Sequence, residues 1–238
     1  MKIIATADLH GDLPDPRILP KADVLVIAGD VLPDDYHFPY RDVIGSTRVQ
    51  RQGWWFEHVF IPWLTEVKSI KPDNLEGVWE KRYKSIIFTP GNHDFFFQAM
   101  LPDGIRKRLP NNVFYLSESS ETIDGIKFFG AGWNCTRGWA FCLDEESHIE
   151  RLQNVPKDVD VMIIHGPPYV AAIDELHVHY MSPALGLWVG RQLNLKAFIC
   201  GHIHEAYGQY QVGSTPVHVV SRKDRNYKDV NKFVEIDI

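Results

Sequence analysis

Cysteine is scarce in this chain. Three occur in 238 residues (Cys135, Cys142 and Cys200), with no CxxC pair and one left over in any disulfide scheme. A disulfide framework is therefore not expected, and free thiols in a reducing compartment are. Long apolar runs are missing as well, none approaching the ~20 residues of a membrane span. The opening Lys2-Ile3-Ile4-Ala5-Thr6-Ala7 reads as a strand, too short for the apolar region of a signal peptide. The expectation is a cytoplasmic protein with no membrane partner. Basic residues are outnumbered, 25 against 31 acidic, for a net charge of -6. A general nucleic-acid binder is basic, so stable nucleic-acid binding is not expected. Repeats, low-complexity tracts and linkers are also lacking, which favours a single domain over 1–238.

What is present is a set of short apolar runs that end in polar clusters. Ile3 to Ala7, Val24 to Ala28, Ser85 to Thr89, Val159 to Ile164 and Ala197 to Cys200 are continuous rather than alternating in hydrophobicity. That pattern suits strands buried on both faces of an α/β sheet. Thr47 to Ile70 has a mostly helical spacing broken near Pro62, and Glu145 to Gln153 and Leu185 to Leu193 read as short amphipathic helices. Val113 to Leu116 and the runs flanking Asp124-Gly125 read as strands, with Asp-Gly as a tight hairpin signal. Gln209 to Val212, Pro216 to Val220 and Phe233 to Ile238 read as further strands.

The clusters are Asp8-Leu9-His10, Gly29-Asp30, Gly91-Asn92-His93-Asp94, His165-Gly166-Pro167-Pro168 and Gly201-His202-Ile203-His204. Ligands of open α/β sheets sit beyond the carboxyl ends of strands, so the five can converge on one rim. Their donors are oxygen and nitrogen, the mixed set that suits divalent transition metals. Seven side chains are too many for one ion and about right for two sharing a carboxylate. Residues i and i+2 of an extended segment face the same side, which pairs Asp8 with His10 and His202 with His204. Asn92 offers a neutral oxygen, while the adjacent His93 points elsewhere and is available as a general acid. Two dications against the two aspartates leave about +2 in the pocket, enough to attract a phosphate ester despite the acidic chain.

The ordered blocks D-x-H, G-D, G-N-H-[D/E], H and G-H-x-H, from Asp8 to His204, resemble the signature of calcineurin-like metallophosphoesterases. His165 to Pro168, Phe128 to Trp133 and Gly201 to Gly208 are similar to the branch of small metallophosphoesterase-domain proteins related to class III cyclic-nucleotide phosphodiesterases. The resemblance implies a four-layer α/β/β/α sandwich, two facing mixed sheets flanked by helices. It also implies one ion on Asp8, His10, Asp30 and His204, and a second on Asp30, Asn92, His165 and His202, with Asp30 bridging. The ions would be drawn from Mn, Fe, Zn, Ni and Co. The implied reaction is hydrolysis of small phosphodiesters, cyclic nucleotides among them, or of phosphomonoesters, by a metal-bridging hydroxide with His93 as proton donor. A nuclease of the same superfamily and a non-catalytic scaffold on this fold are the alternatives; a scaffold predicts eroded ligands, and none is eroded. Serine/threonine protein phosphatases continue their GD with Asp-Arg-Gly, and purple acid phosphatases need a tyrosine where Pro33 stands. Neither reading fits.

Other residues carry blander expectations. His37, His58, His148 and His218 read as packed or partly exposed, Asp94 as a turn residue supporting the ligands, and Trp54 to Trp63 as a core-facing stripe. Phe95 and Phe96, beside His93, are candidates for stacking on a substrate base. His177 and His179, in a segment from Asp174 to Met181 that could cover the pocket, are candidate substrate contacts. The stretch from Asp34 to Tyr83 is long for its place between two blocks and is left without an assigned role.

Overall fold

The computed structural model describes residues 1–34, 47–70, 80–173 and 175–238. His37, Asp174 and residues 35–46 and 71–79 of the Asp34–Tyr83 stretch lie outside the described residues. The first sheet holds β1 (Lys2–Thr6), β2 (Val24–Ala28), β5 (Ser85–Thr89), β6 (Val113–Tyr115) and β13 (Val234–Asp237), in the order β13-β1-β2-β5-β6. Its strands are parallel except for β13, which pairs antiparallel with β1. The second holds β7 (Ser119–Ile123), β8 (Ile126–Ala131), β9 (Val161–Ile164), β10 (Ala197–Cys200), β11 (Gly208–Val212) and β12 (Thr215–Val219). Its order is β11-β12-β10-β9-β8-β7, with antiparallel pairs at both edges. A small ribbon pairs β3 (Ser69–Ile70) with β4 (Glu80–Lys81).

Side-chain alternation along the strands produces the layers. From β2, Val24, Val26 and Ala28 meet Phe128, Val161, Ile163, Ala197 and Ile199 of the second sheet in an inner core. Leu25 and Ile27 point the other way, against Phe56, Phe60, Trp63 and Leu64. On the far side, Met162, Ile164, Phe198 and Cys200 pack on Leu152, Leu185 and Val189. Each central strand is thus buried on both faces, as its continuous hydrophobicity requires. The result is two mixed sheets flanked by helices, the expected four layers.

The helical segments are α1 (Arg48–Trp55), a π turn (Phe56–Phe60), α2 (Ile61–Lys68), α3 (Phe95–Ala99), α4 (Pro102–Arg106), α5 (Glu145–Leu152) and α6 (Pro183–Gly190). Pro62 does not break the run from α1 to α2. It has no N–H to give and crowds the preceding turn. The π turn absorbs this: the Ile61 N–H bonds to Phe56 O, five residues back, and the His58 ring Nδ1 lies 2.8 Å from Trp54 O. Trp55, Phe56, Phe60 and Trp63 face the core, as their spacing requires. α6 differs from expectation. It begins earlier, at Pro183, and is apolar on nearly every side, with Leu187 63% exposed. At the hairpin between β7 and β8, Asp124 and Gly125 both have positive φ (48° and 80°), the turn that matches strand twist. Among the described residues, no helix is long and apolar enough to cross a membrane.

Candidate metal centre

The five clusters meet at the carboxyl ends of β1, β2, β5, β9 and β10. Chain reversal directly after a buried strand forces unusual backbone: Asp8, His10, Asp30 and His202 have φ of 57°, 46°, 51° and 71°. Left-handed conformations cost a non-glycine residue about 1–3 kcal/mol each and gather at functional sites. Four of the seven expected ligands are strained in this way. Glycine is needed where these loops touch. A methyl group on Gly91 would lie 2.2 Å from Asp30 Oδ1, and one on Gly29, itself at φ 91°, would lie 2.3 Å from His165 Nδ1.

Asp8, His10 and His204 form one donor group, their ligand atoms within 4.8 Å of one another. His10 Nε2 and His204 Nε2 are 3.4 Å apart, and His204 Nε2 is 3.7 Å from Asp8 Oδ1. Metal–nitrogen bonds of about 2.0–2.1 Å place two imidazoles of one ion roughly 3–3.4 Å apart. The spacing fits. Asp8, Asp30 and His165 form a second group. His165 Nε2 lies 3.2 Å from Asp30 Oδ2 and 2.8 Å from Asn92 Oδ1. Asp30 Oδ2 is also 3.8 Å from His10 Nε2, so it stands between the two groups. His202 is brought to the same rim, its ring centroid 5.1 Å from that of His165, but its Nε2 meets Thr136 Oγ1 at 2.9 Å. Its Nδ1 is therefore the nitrogen left for a ligand role.

The far sides of the rings are fastened. His165 Nδ1 donates to Ala28 O and His204 Nδ1 to Asp224 O, both at 2.9 Å, which aims each Nε2 inward. Asp34 fastens His93 in this way and pairs by charge with His10: its Oδ1 accepts from His93 Nδ1 at 2.6 Å, and its Oδ2 faces His10 Nδ1 at 3.3 Å without a hydrogen bond. Sequence reasoning missed Asp34, although a carboxylate four residues after Asp30 was the available signal. Asp94 accepts backbone N–H groups of Leu32 and Gly91 at 2.8 Å and of Val31 at 3.3 Å, tying two ligand loops together. That supporting role is the expected one. Thr136, Trp139, Ser221 and Tyr227 also went unread. Trp139 lies over His93 with ring centroids 4.2 Å apart, Tyr227 packs edge-on to His10 and His204, and Ser221 donates to Asp8.

The charges in this buried cluster are tightly coupled. Burial works against protonating His165 and His204, yet the Asp30 and Asp8 carboxylates around the first and Asp8 beside the second raise both to about 9. Burial likewise works against ionising Asp8, Asp30 and Asp34, but neighbouring histidines hold all three below the usual carboxylate range. Burial and the charge of His165 push His202 down to about 3. Asp94, buried and facing the charge of Asp30, rises to about 7 in spite of its three backbone donors. Protons on His165 and His204 supply positive charge that a dication can replace.

Beside this cluster lies a cavity of about 370 Å³ bordered by His93, Trp139, His177, Tyr180, Arg225 and Tyr227, among others. Of the four expected substrate contacts, only His177 lines it. Phe96 is withdrawn from that role: it is buried against Phe56 and Phe97, because the helix starting at Phe95 turns that ring into the core. Phe95 reaches the cavity only through Trp139, with ring centroids 5.9 Å apart. His179 is exposed and outside the lining. The ring beside the cavity comes from the loop after β8, a segment whose sequence carries no strong pattern.

Two facing sheets with a buried carboxylate–imidazole cluster at one rim define the class of metal-dependent phosphoesterases, hydrolases of phosphate esters. The profile of the calcineurin-like phosphoesterase family matches residues 1–206, and the chain belongs to that family. Metallophosphoesterase domain-containing protein 1 of Homo sapiens is 25% identical over 247 residues, covering 100% of this chain and 71% of the human protein. UPF0046 protein K07C11.7 of Caenorhabditis elegans is 28% identical over 228 residues, covering 90% of this chain and 67% of that protein. Among solved structures, TT1561 of Thermus thermophilus superposes with a TM-score of 0.60 at 15% identity, over 92% of this chain and 88% of its own. That likeness speaks for the fold. The family is dimetal-dependent, and the two donor groups are the candidates for its ions.

Proposed function

We propose that this chain, as a single domain, hydrolyses small phosphodiesters, with cyclic nucleotides as the candidate class. The observation that carries the reading is the convergence of seven N and O donors, four of them on strained backbone, beside a cavity of about 370 Å³. Small-molecule sites run from about 300 to 1,000 Å³, which suits a nucleotide-sized ester. We assign one ion to Asp8, His10, Asp30 and His204 and the other to Asp30, Asn92, His165 and His202. When bound, two divalent ions polarise phosphoryl oxygens and bring the pKa of water toward neutrality.

The protein's own residues do the rest. Asp34 holds Nδ1 of His93 and so turns Nε2 toward the reacting centre, where it gives a proton to the leaving oxygen. Thr136 and Asp224 fix the two histidines of the last block, and Asp94 keeps the Asp30 and Asn92 loops in register. Trp139, half-buried over His93, offers a face on which a base can stack. Arg225 adds positive charge to the cavity wall. The test is turnover of bis(p-nitrophenyl) phosphate and 2′,3′-cyclic AMP with Mn²⁺ added. Hydrolysis of either supports the proposal. Failure on both with metal bound rejects it, and cleavage of single-stranded DNA alone moves the assignment to a nuclease.

A further inference from the structure

We infer that Cys135, Glu145 and His148 form a separate binding site for one borderline-soft divalent ion, of the Zn²⁺ type, at the root of the loop that carries Thr136 and Trp139. The ligand atoms of the three residues lie within 4.8 Å of one another. The site is separate from the catalytic one, because none of the three residues belongs to the carboxylate–imidazole cluster.

Two observations beyond proximity point to a ligand. His148, read from its sequence context as a packed residue, is 1% exposed. Its Nδ1 donates to Asp144 O at 3.1 Å, which leaves Nε2 as the lone-pair nitrogen, and Nε2 has no hydrogen-bond partner. A buried polar atom without a partner is destabilising, and a metal bond removes that cost. The second observation is that the helix holds its donors ready. Glu145 and His148, three residues apart on α5, share a face, and Glu145 Oε2 is fixed by the Ala184 N–H at 2.7 Å. Thiolate, imidazole and carboxylate together are a Zn²⁺ donor set, with the fourth position left to water. Burial, with Glu145 and Cys142 nearby, raises the Cys135 thiol to about 12, so the proton stays on sulfur until an ion displaces it. Coordination then exchanges one Sγ proton for the ion and releases that proton to solvent.

The location gives the site a consequence. Cys135 is followed directly by Thr136, which meets His202, and Ala140 N–H bonds to Asn92 O at 3.1 Å. An ion here staples the loop to α5 and so steadies two groups at the catalytic rim.

Reduced full-length protein is titrated with Co²⁺ and followed by absorption. Thiolate-to-Co²⁺ charge transfer reports this site alone, since the catalytic cluster has no sulfur donor. A near-ultraviolet charge-transfer band is expected in wild type, and in Asp30→Asn at full intensity. It should vanish in Cys135→Ser and persist in Cys142→Ser, with metal analysis losing one equivalent in Cys135→Ser. Absence of the band in reduced wild type overturns the site, as does its survival in Cys135→Ser. Loss of turnover in Asp30→Asn with the band intact separates this site from the catalytic one.

Discussion

At the scale of single residues, Asp34 has the clearest unread part. One carboxylate orients His93 through its Nδ1 atom and faces His10 Nδ1, so Asp34→Asn leaves the ligand count unchanged and removes the anion beside both rings. We expect turnover to fall about 10–100-fold with metal content near wild type, checked by steady-state kinetics and metal analysis on one preparation. His93→Ala removes the proposed proton donor and should lower kcat by about 10²–10⁴-fold for a poor leaving group, with less effect on p-nitrophenyl esters, whose leaving oxygen needs little protonation. Protonation also has a sign that can be tested. His165 and His204 are raised from 6.5 to about 9, so their contribution to the stability of the chelator-treated protein is complete below pH 6.5 and is lost as pH rises through 9. Metal binding needs those rings deprotonated, so metal affinity rises over the same interval. Thermal melts from pH 6.5 to 9 should therefore fall with pH under chelator and stay nearly level with saturating Mn²⁺, where neither the folded nor the unfolded rings hold protons. Parallel slopes would contradict the assignment of these rings as ligands.

At the scale of elements, the strands were legible and the loops were not. Val24 to Ala28, Ser85 to Thr89 and Ala197 to Cys200 have the bounds their apolar runs indicate, because a strand buried on both faces must be apolar throughout. The proposed ligands stand out in the sequence for a related reason: they are polar residues that end such runs. Trp139 and Thr136 do not, since their places depend on a loop that only tertiary contacts define. Phe96 was misread because position beside His93 says nothing of which way a helix turns its side chain. The α1–α2 run shows a further limit: Pro62 signals a break, but the π turn lets the helix continue and keeps Phe56 and Phe60 on one face. Phe60 is fully buried against Phe88 and Trp63, and Phe60→Ala should cost about 3–5 kcal/mol in urea unfolding. Far less would mean that this aromatic layer collapses to fill the space.

On the scale of the whole molecule, the two sheets act as one frame. Asp8, Asp30 and Asn92 come from the first and His165, His202 and His204 from the second, so the inner core of Ile3, Val26, Phe128 and Ile199 sets the distance between ligand halves. Layering of this kind could be read from hydrophobic patterning, but which rim would hold the site followed only from where five polar clusters ended. We propose that two ions share Asp30. Anomalous-scattering maps from Mn²⁺-loaded crystals test it most directly. Two peaks about 3.5–4 Å apart are expected, one on each side of the Asp30 carboxylate. A single peak, or a pair that leaves Asp30 outside its coordination, would contradict it.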